Sequence, residues 1–457
     1  MSVLSGKSTS PISAPHTGTV LRLAWPMALK AVLLHGAVVI DGWLVSSLGE
    51  LQLAALGLAA AVAGFPLGAI LAFSHAMQIK TAQTYGRGNH ALQKLVLVSG
   101  LIISCAIGAL LILLAMVLDD FILEYLSPDP LITSYAISYL SVFFFFIFGE
   151  SISQCLSSYF NGCGRTKIPL YSFCLSVPVN IFTSLILIHG LFGLPAYGVV
   201  GAALGSVIGT VVQLIFLFAM LYRVDNVVIF TPLSSLSTTA ASTIQQFLFS
   251  LPIATTFMSA TFSGRVAELM YAKMSLTEFA AMIIITPWIM VAGTIAMQWS
   301  QATGIIVAQL LGQGASPEIL SRFLSRAWRG VFIAAAIVAC LYSLLCMSAP
   351  FIYSNLSAET TSLIMSFLPI LLFLPFIRST NAICGNTLRA SGDTIYVMKL
   401  FLYSQWLFRL PAMALAIFYF ELSAFWVLSI LLLEEIIKFP PFHLRLYSGR
   451  WKTAAVH

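Results

Sequence analysis

The side chains able to do chemistry are few in this chain and stand inside long apolar runs. An ionisable residue in the middle of a membrane helix costs about 2.5–3.5 kcal/mol on insertion scales, so each one demands a reason. Asp41 is the clearest, about 30 Å of helix beyond Leu21. A carboxyl group in low dielectric can exchange a proton near neutrality, which is the chemistry of ion coupling. Lys30 lies eleven residues earlier on nearly the same face. At about 16 Å along the axis the two would line one cavity without pairing. The long Lys30 side chain is expected to snorkel toward the nearer interface.

Other polar residues recur at helical spacing. Glu150, Gln154, Ser157 and Asn161 form one stripe, and Arg378, Asn381, Gly385 and Arg389 a second. Thr294, Gln298 and Gln301 form a third, among Met258, Met282, Met290, Met297, Trp288 and Trp299. Such stripes must face protein or water rather than lipid. They are candidates for contact with a solute. For Glu150 and Arg378 the competing role is a pair of buried ties holding two lobes in one state. His75 is expected as a hydrogen-bonded cavity residue. The methionines and tryptophans either adapt to varied ligands or pack. No stripe pairs a nucleophile with a base, so no catalytic residue is assigned and no enzyme is expected. The seven cysteines lack the spacing of a metal or disulfide framework, so no metal site and no cofactor beyond a coupling ion is expected.

The elements that must carry these residues follow from composition. Hydrophobic residues make up 59% of the chain and charged residues 8%, against about 25% charged in soluble domains. Runs such as Leu95–Leu118 and Leu204–Leu221 are unbroken rather than alternating, so helices rather than barrel strands should span the bilayer. Apolar runs and breakers predict twelve spans, near 21–48, 52–83, 92–118, 131–161, 167–190, 196–222, 243–270, 278–310, 320–349, 357–389, 394–420 and 423–444. The organisation expected is a segment 1–20, a first lobe 21–222, a linker 223–242, a second lobe 243–446 and a tail 447–457.

The basic residues Lys80, Arg87, Lys94, Arg165, Lys167, Arg223, Arg322, Arg326, Arg329, Arg389, Lys399, Lys438, Arg445, Arg450 and Lys452 then fall on one side. Glu50, Asp119, Asp120, Glu124, Asp129, Glu359 and Glu421 fall on the other, with Lys273. The positive-inside rule puts both termini in the cytoplasm. The net charge of +6 reflects this bias and not a nucleic-acid partner.

The halves can be laid over each other in one register, in which Pro26 meets Pro252 and Ala82-Gln83-x-x-Gly86-x-Gly88 meets Ala308-Gln309-x-x-Gly312-x-Gly314. Farther on, after one small indel, Gly164-Arg165-Thr166 meets Gly392-Asp393-Thr394 and Glu150 meets Arg378. Two six-helix repeats in the same orientation imply a pseudo-twofold axis along the membrane normal and suit alternating access. Asp41 meets Ala267, so the fold does not require the acid. No GxxxxGK[ST] occurs, and the energy would come from an ion gradient, at about 2.3 kcal/mol per charge per 100 mV.

Several segments resemble the multidrug and toxic compound extrusion (MATE) family. They are Trp25-Pro26 through Asp41 to Leu56-Gly57, the Ala82–Gly88 motif, Asn161-Gly162-x-Gly164-Arg165-Thr166-Lys167-x-Pro169, Gly198-Val199-x-Gly201-Ala202-Ala203, Leu388-Arg389-Ala390-x-Gly392-Asp393-Thr394 and Arg445-x-x-x-Gly449-x-Trp451. The likeness runs from about residue 20 to 452. It implies an all-α membrane protein of twelve helices in two pseudo-symmetric bundles, driving efflux of small organic compounds with H⁺ or Na⁺. Asp41 matches the family's first-helix coupling acid and Asn180 its fifth-helix partner. Ser184 stands where many members carry a second acid, which favours H⁺ over Na⁺ at Asp41 and Asn180. Ala260 and Arg378 replace acids found in the second half of some members. The resemblance implies a monomer in the plasma (inner) membrane. A lipid-linked precursor flippase of related fold and a Na⁺-coupled exporter are the alternatives.

Overall fold

A bilayer offers no water to unpaired peptide groups, so each segment satisfies its own backbone by forming a helix. The computed structural model describes residues 14–126, 129–233, 235–353 and 356–453. Residues 1–13 and 454–457 of the two terminal segments, and the side chains of Asp119, Asp120 and Glu124, lie outside the described residues.

Twelve long helices account for the described chain, and no strand occurs among the described residues. The first lobe holds α1 (Thr17–Ser46), α2 (Glu50–Arg87), α3 (His90–Leu126), α4 (Pro130–Gly162), α5 (Lys167–His189) and α6 (Val199–Val224). The second holds α7 (Leu236–Tyr271), α8 (Leu276–Gly312), α9 (Pro317–Ile352), α10 (Ala358–Ala390), α11 (Thr394–Tyr419) and α12 (Ala424–Tyr447). Eleven of these are long and apolar enough to cross a membrane. The exception, α12, carries Glu434, Glu435 and Lys438 within its apolar stretch. Much of the stretch expected as a linker is helical, in a short helix Asn226–Phe230 and the first turns of α7. A break at Phe367, just before Pro369, divides α10, as proline does where it removes a backbone donor.

The internal repeat reappears as paired contacts. Arg165, in the turn after α4, pairs with Asp225 beyond α6 at 2.5 Å. In the second half Asp393, in the turn after α10, pairs with Arg445 near the end of α12 at 2.7 Å. Arg165 and Asp393 are equivalent positions of the repeat, and each makes an ion pair near the last helix of its half, with opposite charge.

At one end of the bundle α2 and α8 cross in backbone contact. A Cβ placed on Gly86 would lie 2.1 Å from the Gln309 carbonyl oxygen, and one on Gly312 would lie 2.1 Å from that of Gln83. Only glycine allows this approach. The glutamines reciprocate: Gln83 donates to the Ala390 carbonyl at 2.8 Å and Gln309 to that of Gly162 at 2.7 Å. Gly162 and Ala390 are themselves equivalent positions of the repeat, so the two bonds are one contact made twice by the pseudo-twofold. The segment just before α1 also reaches the second lobe, where Arg326 donates to the Ala14 carbonyl at 2.7 Å.

A Gly86→Val substitution inserts a branched side chain into this crossing. Overpacking of that kind costs about 1–3 kcal/mol, here charged wholly to the state in which the ends are together. Thiol labelling of a single cysteine placed beside the crossing, in a cysteine-free background, is expected to rise several-fold. Unchanged labelling would show that the ends tolerate a side chain.

Candidate functional site

A cavity opens inside each lobe. The first, about 540 Å³, is walled by α1, α2, α4, α5 and α6, with Arg265 of α7 also on its lining. Leucine, phenylalanine and small residues make most of its surface, and Asp41, Glu150 and Asn180 stand among its few polar groups. Asp41 Oδ1 is buried without a hydrogen-bond partner among the described residues. Asn180 faces the same space and accepts from the Ser184 hydroxyl through Oδ1 at 2.9 Å. Ser184 itself is fully buried behind the wall.

Glu150 accepts from the Gln154 amide at 2.6 Å. Lys30 does not snorkel: its ammonium donates to Ser157 at 3.4 Å and lies 6.0 Å from the Phe173 ring centre, close enough to Glu150 for their charges to interact. A nearby carboxylate and hydroxyl compensate the buried ammonium, so it has no need to reach the interface. Gln154 and Ser157 support Glu150 and Lys30 from behind and are not on the cavity wall.

The second cavity, about 380 Å³, lies between α7, α8, α10, α11 and α12. Here the sequence places Lys438 among the cytoplasmic charges, and the structure corrects it. Lys438 is 2% exposed and bridges Glu434 at 3.2 Å and Glu435 at 2.8 Å. Glu434 also pairs with Arg409 at 3.2 Å and accepts from Ser404 at 3.1 Å. Arg409 donates in turn to Ser263. Asn381 donates to the Glu435 carbonyl and carboxylate, both at 2.8 Å. The network ties α7, α10, α11 and α12 together. Widened π-helical turns in α11, over 403–409 and 415–419, set the register that brings Ser404 and Arg409 to Glu434. The missed signal was the run of Glu434, Glu435 and Lys438 in an apolar helix, at spacings of three and four that put the charges side by side.

Arg378 lines this second cavity, exposed, and makes no ion pair among the described residues. Glu150 and Arg378 therefore occupy different cavities and do not act as mutual ties between the lobes. Each projects from its helix into its own bundle, as a repeat axis between the bundles requires.

Between the lobes lies a narrow space bordered by His75 and Gln78 of α2, Phe257 of α7, Gln301 of α8 and Arg389 of α10. His75 stacks on Phe257 with ring centres 4.8 Å apart and has no hydrogen bond among the described residues, contrary to expectation. The stacked Phe257 ring covers one face of the imidazole. Of the α8 stripe only Gln301 reaches a cavity. Thr294 turns back to its own helix, donating to the Val291 carbonyl at 2.6 Å, and Gln298 lines none of the cavities described. Met290 and Met297 line the second cavity, while Met282 is wholly buried.

A family model, MatE, matches residues 26–186 and again 252–415, together more than half of the chain. The two matches begin at Pro26 and Pro252, the prolines that the internal repeat lays over each other. Over 408 residues the chain is 22% identical to the multidrug resistance protein NorM of Vibrio vulnificus (strain YJ016), covering 87% of this chain and 86% of that protein. It is 26% identical over 144 residues to the probable multidrug resistance protein YoeA of Bacillus subtilis (strain 168), where the match spans 32% of this chain and less than a third, 31%, of that relative. Among solved structures, the eukaryotic MATE transporter AtDTX14 superposes with a TM-score of 0.83 at 18% identity, covering 96% of this chain and 97% of that one. A MATE structure in a bent conformation gives 0.82 at 17%, covering 97% and 98%.

Proposed function

Because this chain belongs to the MatE family of membrane transporters, we propose that it is a secondary active exporter, coupling inward flow of H⁺ to outward movement of small organic compounds. The observation that carries the reading is the Asp41 carboxyl, half-buried in a cavity large enough for a drug-sized molecule and without a partner on one oxygen. An unpaired acid there can bind a cation in one state of the lobe and release it in another. Protonation of Asp41 would rearrange the first lobe around Asn180 and expel the solute while the cavity faces outward.

The donor set favours a proton over Na⁺. Asn180 Oδ1 already accepts from Ser184, which is a hydroxyl and not an acid, and Glu150 on the same cavity is engaged by Gln154, whereas hard cations want charged oxygen ligands. The closed crossing at Gly86 and Gly312 is the end we assign to the cytoplasm, from the basic residues of its loops. Both termini would lie on that side of the plasma (inner) membrane, with a monomer as the working unit.

Efflux from proteoliposomes under separately imposed proton and sodium gradients tests this. Concentrative transport of a small organic dye is expected with the proton gradient alone. Transport with sodium alone would replace the proton with sodium, and transport with neither would overturn the exporter.

A further inference from the structure

The two cavities differ in the sign of their charge. Asp41 and Glu150 line the first, and with Glu150 facing Lys30 behind the wall Asp41 is its unmatched charge. Its one lining cation, Arg265, is already held by Glu268 at 2.8 Å. The second is lined by four cations, Arg378, Arg389, Arg409 and Lys438, and by three acids, Glu268, Glu434 and Glu435. With Glu268 paired to Arg265, two carboxylates remain for four cations. Arg409 and Lys438 are matched to Glu434 and Glu435 by direct ion pairs. Arg378 and Arg389 are the surplus.

Neither surplus guanidinium is neutralised among the described residues. Arg389 is 8% exposed, its Nε has no hydrogen-bond partner, and its charge lies over the rings of Phe257 and Phe401 at 5.4 and 5.6 Å. Arg378 lies within electrostatic reach of Glu435 but forms no ion pair, and Glu435 is already bound by Lys438 and Asn381. Guanidinium does not shed its proton in proteins, so the cavity cannot discharge itself by titration. The buried charge of Arg389 is unfavourable until an anion joins it, and Arg378 adds a second unmatched positive charge to the same cavity. The planar fork of Arg378, exposed toward the cavity, suits a carboxylate, sulfonate or phosphonate group.

We propose that the second-lobe cavity is the binding site for an anionic group on the exported solute, with Arg378 as its principal contact and Arg389 as a second charge about three helical turns along α10. This deepens the exporter reading and rests on it. The coupling cation is drawn to the acidic first lobe and the solute's anionic end to the basic second lobe, so the two ligands need not compete for one group. The apolar lining around Arg378, with Met290 and Met297, would hold the remainder of an amphipathic organic anion.

The test uses full-length purified protein and a matched pair of probes, 1-naphthoate and 1-naphthylmethylamine, with binding read by ligand-dependent thermal stabilisation in detergent. Naphthoate is expected to bind and the amine to bind at least tenfold more weakly. Arg378→Gln should weaken naphthoate by roughly tenfold to a hundredfold, the worth of a charge-assisted hydrogen bond, and Arg378→Lys should recover part of the loss. A melting point of unliganded Arg378→Gln near that of the parent shows the fold intact. Equal binding of both probes, or naphthoate binding unaltered in a folded Arg378→Gln protein, overturns the site. Stabilisation by chloride with no naphthoate binding overturns it too, as an inorganic-anion site only. Proteoliposome transport of naphthoate separates the two readings: binding that depends on Arg378 without gradient-driven transport upholds the anion site and sinks the exporter.

Discussion

An Asp41→Asn variant is expected to lose concentrative efflux while keeping its fold. One charge moving through 100 mV supplies about 2.3 kcal/mol, equivalent to roughly a 50-fold concentration ratio. Without the titrating group that ratio should collapse toward one. Asparagine has nearly the same shape, and Asp41 makes no hydrogen bond through Oδ1 that the change would break. Solute exchange at equal concentrations on both sides should therefore persist. Measured in the same vesicles, undiminished gradient-driven efflux would remove Asp41 from the coupling step. Loss of exchange together with efflux would make its role structural.

The second large effect is on stability. Glu434→Ala removes the carboxylate shared by Arg409 and Lys438, both held inside the second lobe. Breaking a buried pair by deleting one partner costs about 3–5 kcal/mol, because the charges left behind are uncompensated. Arg409 loses its ion pair while Lys438 keeps Glu435 at 2.8 Å, so a loss within that range is expected in equilibrium unfolding in mixed micelles. Arg378→Ala provides the contrast. It removes a cation that has no ion pair, and its stability should stay within about 1 kcal/mol of the parent. Equal losses in the two variants would contradict the charge balance described for this cavity.

Much of the architecture was legible without coordinates. Hydrophobic runs and the scarcity of charge demanded helices, because an apolar solvent leaves the backbone few alternatives. The motifs matched between the halves announced the repeat, and Gln83, Gln309, Gly86 and Gly312 from those motifs form the reciprocal crossing. Asp41 stood out as a lone acid in an apolar span. All of these are local properties, or properties of a segment compared with its copy.

What the tertiary structure alone decided concerns partners. Lys30 was expected at the interface and instead turns to Ser157 and Glu150, both on α4 and far from it in sequence. Lys438 counted as a cytoplasmic charge because it lies near the end of a span. It is buried because Glu434 and Glu435 sit beside it on α12 and Arg409 reaches across from α11. Whether a charge in a membrane helix snorkels, pairs or remains open to a ligand depends on what the neighbouring helices present, and helix periodicity carries no record of that. From the sequence the second half has lost its acids. In three dimensions it has recovered two on α12, spent them on Arg409 and Lys438, and left Arg378 and Arg389 unmatched.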